Sequence, residues 1–104
     1  MNNYISEQTK QFKDKIIIVT GSTQGSGAET AKLLASRGAK GITICGRNEE
    51  KGNKVKSEIE NLGSECIYVK ADLEKLNDCR KIVSETNKNF KTVDSFINVA
   101  AFTE

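Results

Sequence analysis

The sequence predicts an α/β fold, a doubly wound parallel sheet truncated at about four strands and three helices, and three observations predict it. Short β-branched runs that are apolar on both faces recur along the chain, as expected of parallel strands covered by helices on either side. Amphipathic stretches of helical period separate those runs. No proline, internal repeat or low-complexity linker breaks the resulting βαβαβαβ alternation, so the connections are expected to be right-handed crossovers. A chain of 104 residues accommodates one such domain and not two.

Each element has its own local cause. Residues 1–14 show no sustained periodicity and are expected to form a loose N-terminal arm, with the domain occupying 15–104. Lys15-Ile16-Ile17-Ile18-Val19-Thr20 reads as a central strand that stops at Gly21. From about Gly25 to Arg37 the pattern turns helical: Ala28, Ala31, Leu34 and Ala35 share a stripe, their small size lets the helix lie close to the sheet, and Gly38 caps the end. Ile42 to Cys45 forms a second strand. Asn48 is the expected N-cap of a second helix, Glu49 and Glu50 complement its dipole, and Val55, Ile59 and Leu62 line its apolar face before Gly63. Cys66 to Val69 supplies the third strand. Leu73, Leu76, Cys79, Ile82 or Val83, and Phe90 mark the third helix, and Phe96-Ile97-Asn98-Val99-Ala100 is a fourth strand, again largely apolar on both faces.

Composition narrows the function classes. Sixteen basic against fourteen acidic side chains leave a formal charge of +2 without clustering, so neither a nucleic-acid partner nor an anionic membrane is expected. Cys45, Cys66 and Cys79 form no C-x-x-C pair and are read as buried thiols, which places the protein in the cytoplasm. With no histidine in the chain, a structural zinc site lacks the ligands it normally uses. The longest aliphatic run, Ile16–Val19, is far shorter than a membrane span, and the opening residues lack the apolar core of a signal peptide.

The chemistry concentrates at Gly21-Ser22-Thr23-Gln24-Gly25-Ser26-Gly27, between the first strand and the first helix. A turn this tight requires a residue without a Cβ at Gly21, close approach of a pyrophosphate requires the same at Gly25, and Gly27 lets the helix pack on the strand. The loop N–H groups and the helix dipole then face phosphate, so the segment predicts dinucleotide binding.

With Thr20 in front, the G-x-x-x-G-x-G spacing resembles the short-chain dehydrogenase/reductase family, classical type, and its N-terminal cofactor-binding portion. Asp72-Leu73 looks like the family's adenine-contacting acidic segment, and Asn98-Val99-Ala100-Ala101 occupies the place of its N-N-A-G segment, with Val99 and Ala101 departing from it. The resemblance covers about Lys15 to Ala101 and implies a Rossmann-type sheet with a nicotinamide dinucleotide held by the glycine loop, Asp72, Leu73 and Asn98. At the end of the second strand, where an acidic side chain would bind the ribose hydroxyls of NAD, stands Gly46 followed by Arg47. A guanidinium beside a missing carboxylate favours the 2′-phosphate of NADP, with NAD as the alternative cofactor and Gln24 as a point against the preference.

The family's catalytic pair, a tyrosine with a lysine four residues later, has no match here: Tyr4 is followed at that spacing by Gln8 and Tyr68 by Asp72. No catalytic residue is therefore carried over. Phe96 to Ala100 would also form an exposed apolar edge, so the sequence is expected to be part of a longer protein. The leading reading is the NADP(H)-binding portion of an enzyme interconverting an alcohol and a carbonyl on a small-molecule substrate. Relatives commonly form homo-oligomers. The alternatives are a non-catalytic dinucleotide-binding module or an inactive remnant; the chain alone is expected to be inactive as a dehydrogenase.

Overall fold

The computed structural model describes residues 11–21, 23 and 25–99. Four strands and three helices follow one another in the expected order: β1 (Ile16–Thr20), α1 (Gly25–Ser36), β2 (Gly41–Gly46), α2 (Glu49–Asn61), β3 (Glu65–Lys70), α3 (Leu76–Phe90) and β4 (Ser95–Asn98). The strands form one parallel sheet in the order β3-β2-β1-β4. After β3 the chain therefore crosses over β2 and β1, and this reversal leaves a crevice at the C-terminal ends of β1 and β4, where ligands of open α/β sheets bind.

The helices divide between the two faces. α1 and α2 cover one, burying Ala28, Ala31, Leu34, Val55 and Ile59 against Ile17, Val19, Ile42 and Ile44. α3 covers the other, with Ile82 packed among Ile18, Cys45 and Val69. Adjacent residues of β1 thus point into different cores, which explains why that strand is apolar throughout and buried at every position.

Local sequence accounts for most boundaries. The Asn48 side chain caps α2 by accepting from the Lys51 N–H at 3.0 Å, and Gly38 takes a positive φ of 92° after α1. Asp94 sets the start of β4: its carboxylate accepts from the Ile16 N–H at 2.8 Å, while its own N–H donates to the Ile16 carbonyl at 2.8 Å.

Several expectations need correction. Residues 11–14, expected in a loose arm, are tied to the domain: Phe12 packs against the α1/α2 core, its N–H donates to the Arg37 carbonyl, and Lys13 bridges to Ala39. α3 begins at Leu76, so Leu73 lies in the preceding turn, and Leu73, Leu76 and Val83 are exposed. The position buried one turn beyond Ile82 is Thr86, whose hydroxyl donates to the Ile82 carbonyl and pairs with Thr43 of β2 at 2.8 Å. A satisfied hydroxyl can occupy a core position, which an apolar count overlooks. Cys79 is half-buried, unlike Cys45 and Cys66, and β4 ends at Asn98. No described helix is long and apolar enough to cross a membrane.

Candidate functional site

The crevice is floored by the C-terminal ends of β1, β2 and β4 and rimmed by the loop between β1 and α1. Gly21 and Gly25 both take positive φ, 65° and 61°, a backbone conformation that L side chains rarely adopt. Their surroundings differ. A Cβ at Gly21 would stand 2.9 Å from the Val99 carbonyl oxygen, so the segment after β4 presses directly on the loop. Among the described residues a Cβ at Gly25 would meet nothing within 4 Å at the first residue of α1, where N–H groups lack helical partners. This is the geometry a phosphate-bearing ligand needs: a helix N-terminus and a surface without a side chain. Ser26 is exposed beside it, and Gly27 is buried where α1 meets the sheet. Ser22 and Gln24 lie outside the described residues, as do Ala100 and Ala101.

Thr23 performs a task not evident from sequence. A Cβ at Gly46 would stand 2.6 Å from Thr23 Cγ2 and 2.7 Å from its Oγ1, so the Thr23 side chain fills the space that any larger residue at the end of β2 would need. Arg47 follows Gly46, exposed and, among the described residues, without an ion pair.

Asp72 and Asn98 are each engaged locally. Asp72 closes the turn before the third helix, accepting from the Glu74 N–H at 3.0 Å. Its own N–H donates to the Asp78 carboxylate at 2.8 Å, a constraint from the first turn of α3 that sequence reading did not anticipate. Leu73 is exposed next to it. Asn98 accepts from the Thr20 hydroxyl at 2.7 Å across the β1–β4 pair, which leaves its amide hydrogens for other partners. Gly21 thus meets Val99 and Thr20 meets Asn98 at the end of the β1–β4 pair, while Thr23 meets Gly46 at the flank from which Arg47 follows. A separate cavity of about 300 Å³, lined by Glu60, Ser64, Cys66 and Phe90 among others, opens near the start of β3, away from this loop.

Comparison with known proteins places the fold in a family. The family model for short chain dehydrogenase matches residues 15–104. The chain belongs to the short-chain dehydrogenase family. Proteins of this family bind a nicotinamide dinucleotide. The chain is 36% identical over 92 residues to the uncharacterized oxidoreductase YxnA of Bacillus subtilis, an alignment covering 88% of this chain and 26% of that protein. It superposes on the crystal structure of an NADH-dependent reductase complexed with NAD, at 28% identity and a TM-score of 0.77, covering 86% of this chain and 37% of the other. A hydroxysteroid dehydrogenase from Escherichia coli shares the fold at a TM-score of 0.85 and 24% identity, covering 92% of this chain and 40% of the other. The chain thus spans about a quarter to two-fifths of the length of these proteins.

Proposed function

We propose that the crevice holds NADP(H) and that the protein of which this domain is the cofactor site interconverts an alcohol and a carbonyl. The observation that carries the reading is Gly25 at the N-terminus of α1, where among the described residues a Cβ would meet nothing within 4 Å, together with Gly21 at positive φ. In this reading the pyrophosphate lies on the Gly21–Gly27 loop, with Ser22, Thr23, Gln24 and Ser26 around it, and the adenine lies against Asp72 and Leu73. Asn98 stands toward the nicotinamide ribose, oriented by Thr20. When bound, the dinucleotide supplies the hydride donor or acceptor of an oxidoreductase. The chain's own residues bind and orient it: the loop N–H groups and the α1 dipole neutralise phosphate, while the Thr20–Asn98 bond fixes one amide face.

Preference for the phosphorylated cofactor is supported by the end of β2. A carboxylate at position 46 would require a Cβ where Thr23 lies, and Arg47 offers a guanidinium to a 2′-phosphate. Arg47→Ala should weaken NADP about tenfold or more while leaving NAD within about twofold, read by calorimetric titration of the purified chain. Equal losses for the two cofactors would remove the phosphate assignment.

The alternative is dinucleotide binding without turnover, and Tyr68 does not decide between the two. The Tyr68 hydroxyl is engaged by the Gly46 carbonyl, and Asp72 rather than lysine stands four residues later. Reading the source DNA beyond codon 104 separates the two: a tyrosine followed four residues later by lysine in the same frame supports the enzyme, and a frame without that pair supports the module. Three thiols with no disulfide among them favour a cytoplasmic location.

A further inference from the structure

We propose that Tyr68 is a positioning residue for cofactor discrimination: by anchoring the Gly46 carbonyl it fixes the strand end from which Arg47 departs. The proposal rests on the reading of Arg47 as the partner of a 2′-phosphate and deepens it.

Tyr68 lies on β3, one strand over, and faces the α1/α2 core. Its hydroxyl donates to the Gly46 carbonyl at 2.7 Å, and the same oxygen accepts from the Ala71 N–H at 3.1 Å. Both lone pairs of that carbonyl are therefore used, which restrains the last peptide of β2 against rotation. On the same face, Thr23 occupies the space beside the Gly46 Cα. The end of β2 is held both from the glycine loop and from β3.

The second observation concerns Gly52, a buried residue inside α2. Glycine in a helix interior costs about 1 kcal/mol relative to alanine, so its presence calls for a reason. A Cβ at this position would collide with the Tyr68 ring at Cε1, Cδ1 and Cζ. The helix thus gives up local stability to admit a ring whose hydroxyl reaches the site. Phenylalanine would fill the same space; what the hydroxyl adds is the bond to Gly46. Burial, with the Glu49 carboxylate as a second cause, raises the Tyr68 hydroxyl above the ordinary phenol value, so it remains a donor at neutral pH.

The link to discrimination is geometric. NADP differs from NAD only by the phosphate on the adenosine ribose, so a small displacement of Arg47 weakens the contact unique to NADP and spares the contacts common to both. Charge-assisted hydrogen bonds depend on distance and angle, and displacement of about 1 Å is enough to be felt.

The test uses the complete 104-residue chain and reads dissociation constants for NADP and NAD by calorimetry, alongside circular dichroism for folding. Tyr68→Phe should raise the NADP constant about three- to tenfold and leave NAD within about twofold, a change that a merely structural role would spread over both cofactors. Gly52→Ala, which displaces the ring while favouring the helix, should shift the ratio in the same direction. In an Arg47→Ala background, Tyr68→Phe should leave the ratio unchanged. If Arg47→Ala lowers the preference for NADP but Tyr68→Phe does not, or if Tyr68→Phe weakens both cofactors equally, the positioning role is wrong and the phosphate reading stands. If Arg47→Ala itself leaves the ratio unchanged, the phosphate reading fails and takes this proposal with it. Binding of neither cofactor by the unsubstituted chain overturns the dinucleotide site as a whole.

Discussion

β1 and β4 are neighbouring parallel strands that each place apolar side chains on both faces, yet they live in different environments. β1 has a strand on each side, α1 and α2 on one face and α3 on the other, and all five of its residues are buried. Among the described residues β4 pairs with β1 alone; Ile97 packs against the α1/α2 core, while Phe96, which shares the opposite face with Ile18, is 54% exposed. A run that is apolar on both faces states a requirement for cover. Whether cover exists depends on which elements the topology brings alongside, and within the described residues α3 packs beneath Ile18, Cys45 and Val69 without burying Phe96.

Substitutions should expose this difference, with the largest effect in β1. Ile18→Ala removes a fully buried side chain at the centre of the α3 core and should cost about 2–5 kcal/mol, measured as a lower urea midpoint at unchanged slope. A cost below about 1 kcal/mol would mean that the core re-forms around the cavity and that β1 is less constrained than its burial indicates.

An intermediate effect belongs to pH and concerns the two buried thiols, Cys45 of β2 and Cys66 of β3. Burial pushes the Cys45 thiol up to about 11 and the Cys66 thiol up to about 12, because the thiolate would be desolvated. Since the folded chain holds these protons more tightly than the unfolded chain, the associated stability is complete below the ordinary thiol value of 9.0. It is lost as pH rises toward about 11 for Cys45 and about 12 for Cys66. Thermal melts across that window should fall less steeply for Cys66→Ala than for the unsubstituted chain. Parallel curves would show that neither thiol governs the alkaline limit.

The smallest stability effect is expected at Phe96. Phe96→Thr places a β-branched residue of good strand propensity at an exposed position and should change stability by no more than about 0.5 kcal/mol. Its consequence should appear instead in association: an exposed apolar edge strand invites edge-to-edge pairing, so the variant should sediment as a smaller species than the parent at the same concentration. A loss of stability comparable to that of Ile18→Ala would mean that β4 is as well covered as β1.

The same contrast describes how much of the molecule could be read in advance. The element order, the Asn48 cap and the glycine loop were legible because their causes lie within a few residues: periodicity, capping chemistry and freedom from a Cβ. The third helix was legible only in part. Leu73 and Leu76 look apolar enough to be buried, but the turn closed by Asp72 and held by Asp78 delays the helix, and the buried stripe passes through Ile82 and Thr86. Within the candidate site, Gly21 and Gly25 could be singled out from spacing, whereas the reason for Gly46 could not, because the Thr23 side chain that fills its place comes from another loop.

By itself, the sequence determined a parallel α/β domain of the short-chain dehydrogenase family with a glycine-rich loop between its first strand and first helix, since these follow from short-range pattern and backbone chemistry. Only the tertiary structure decided which distant polar groups meet. The bond from Tyr68 to Gly46 spans 22 positions, that between Thr43 and Thr86 spans 43, and that from Thr20 to Asn98 spans 78. Such partners are chosen by strand order and register, which emerge when helices cover both faces of the sheet and bring together residues that no local periodicity relates.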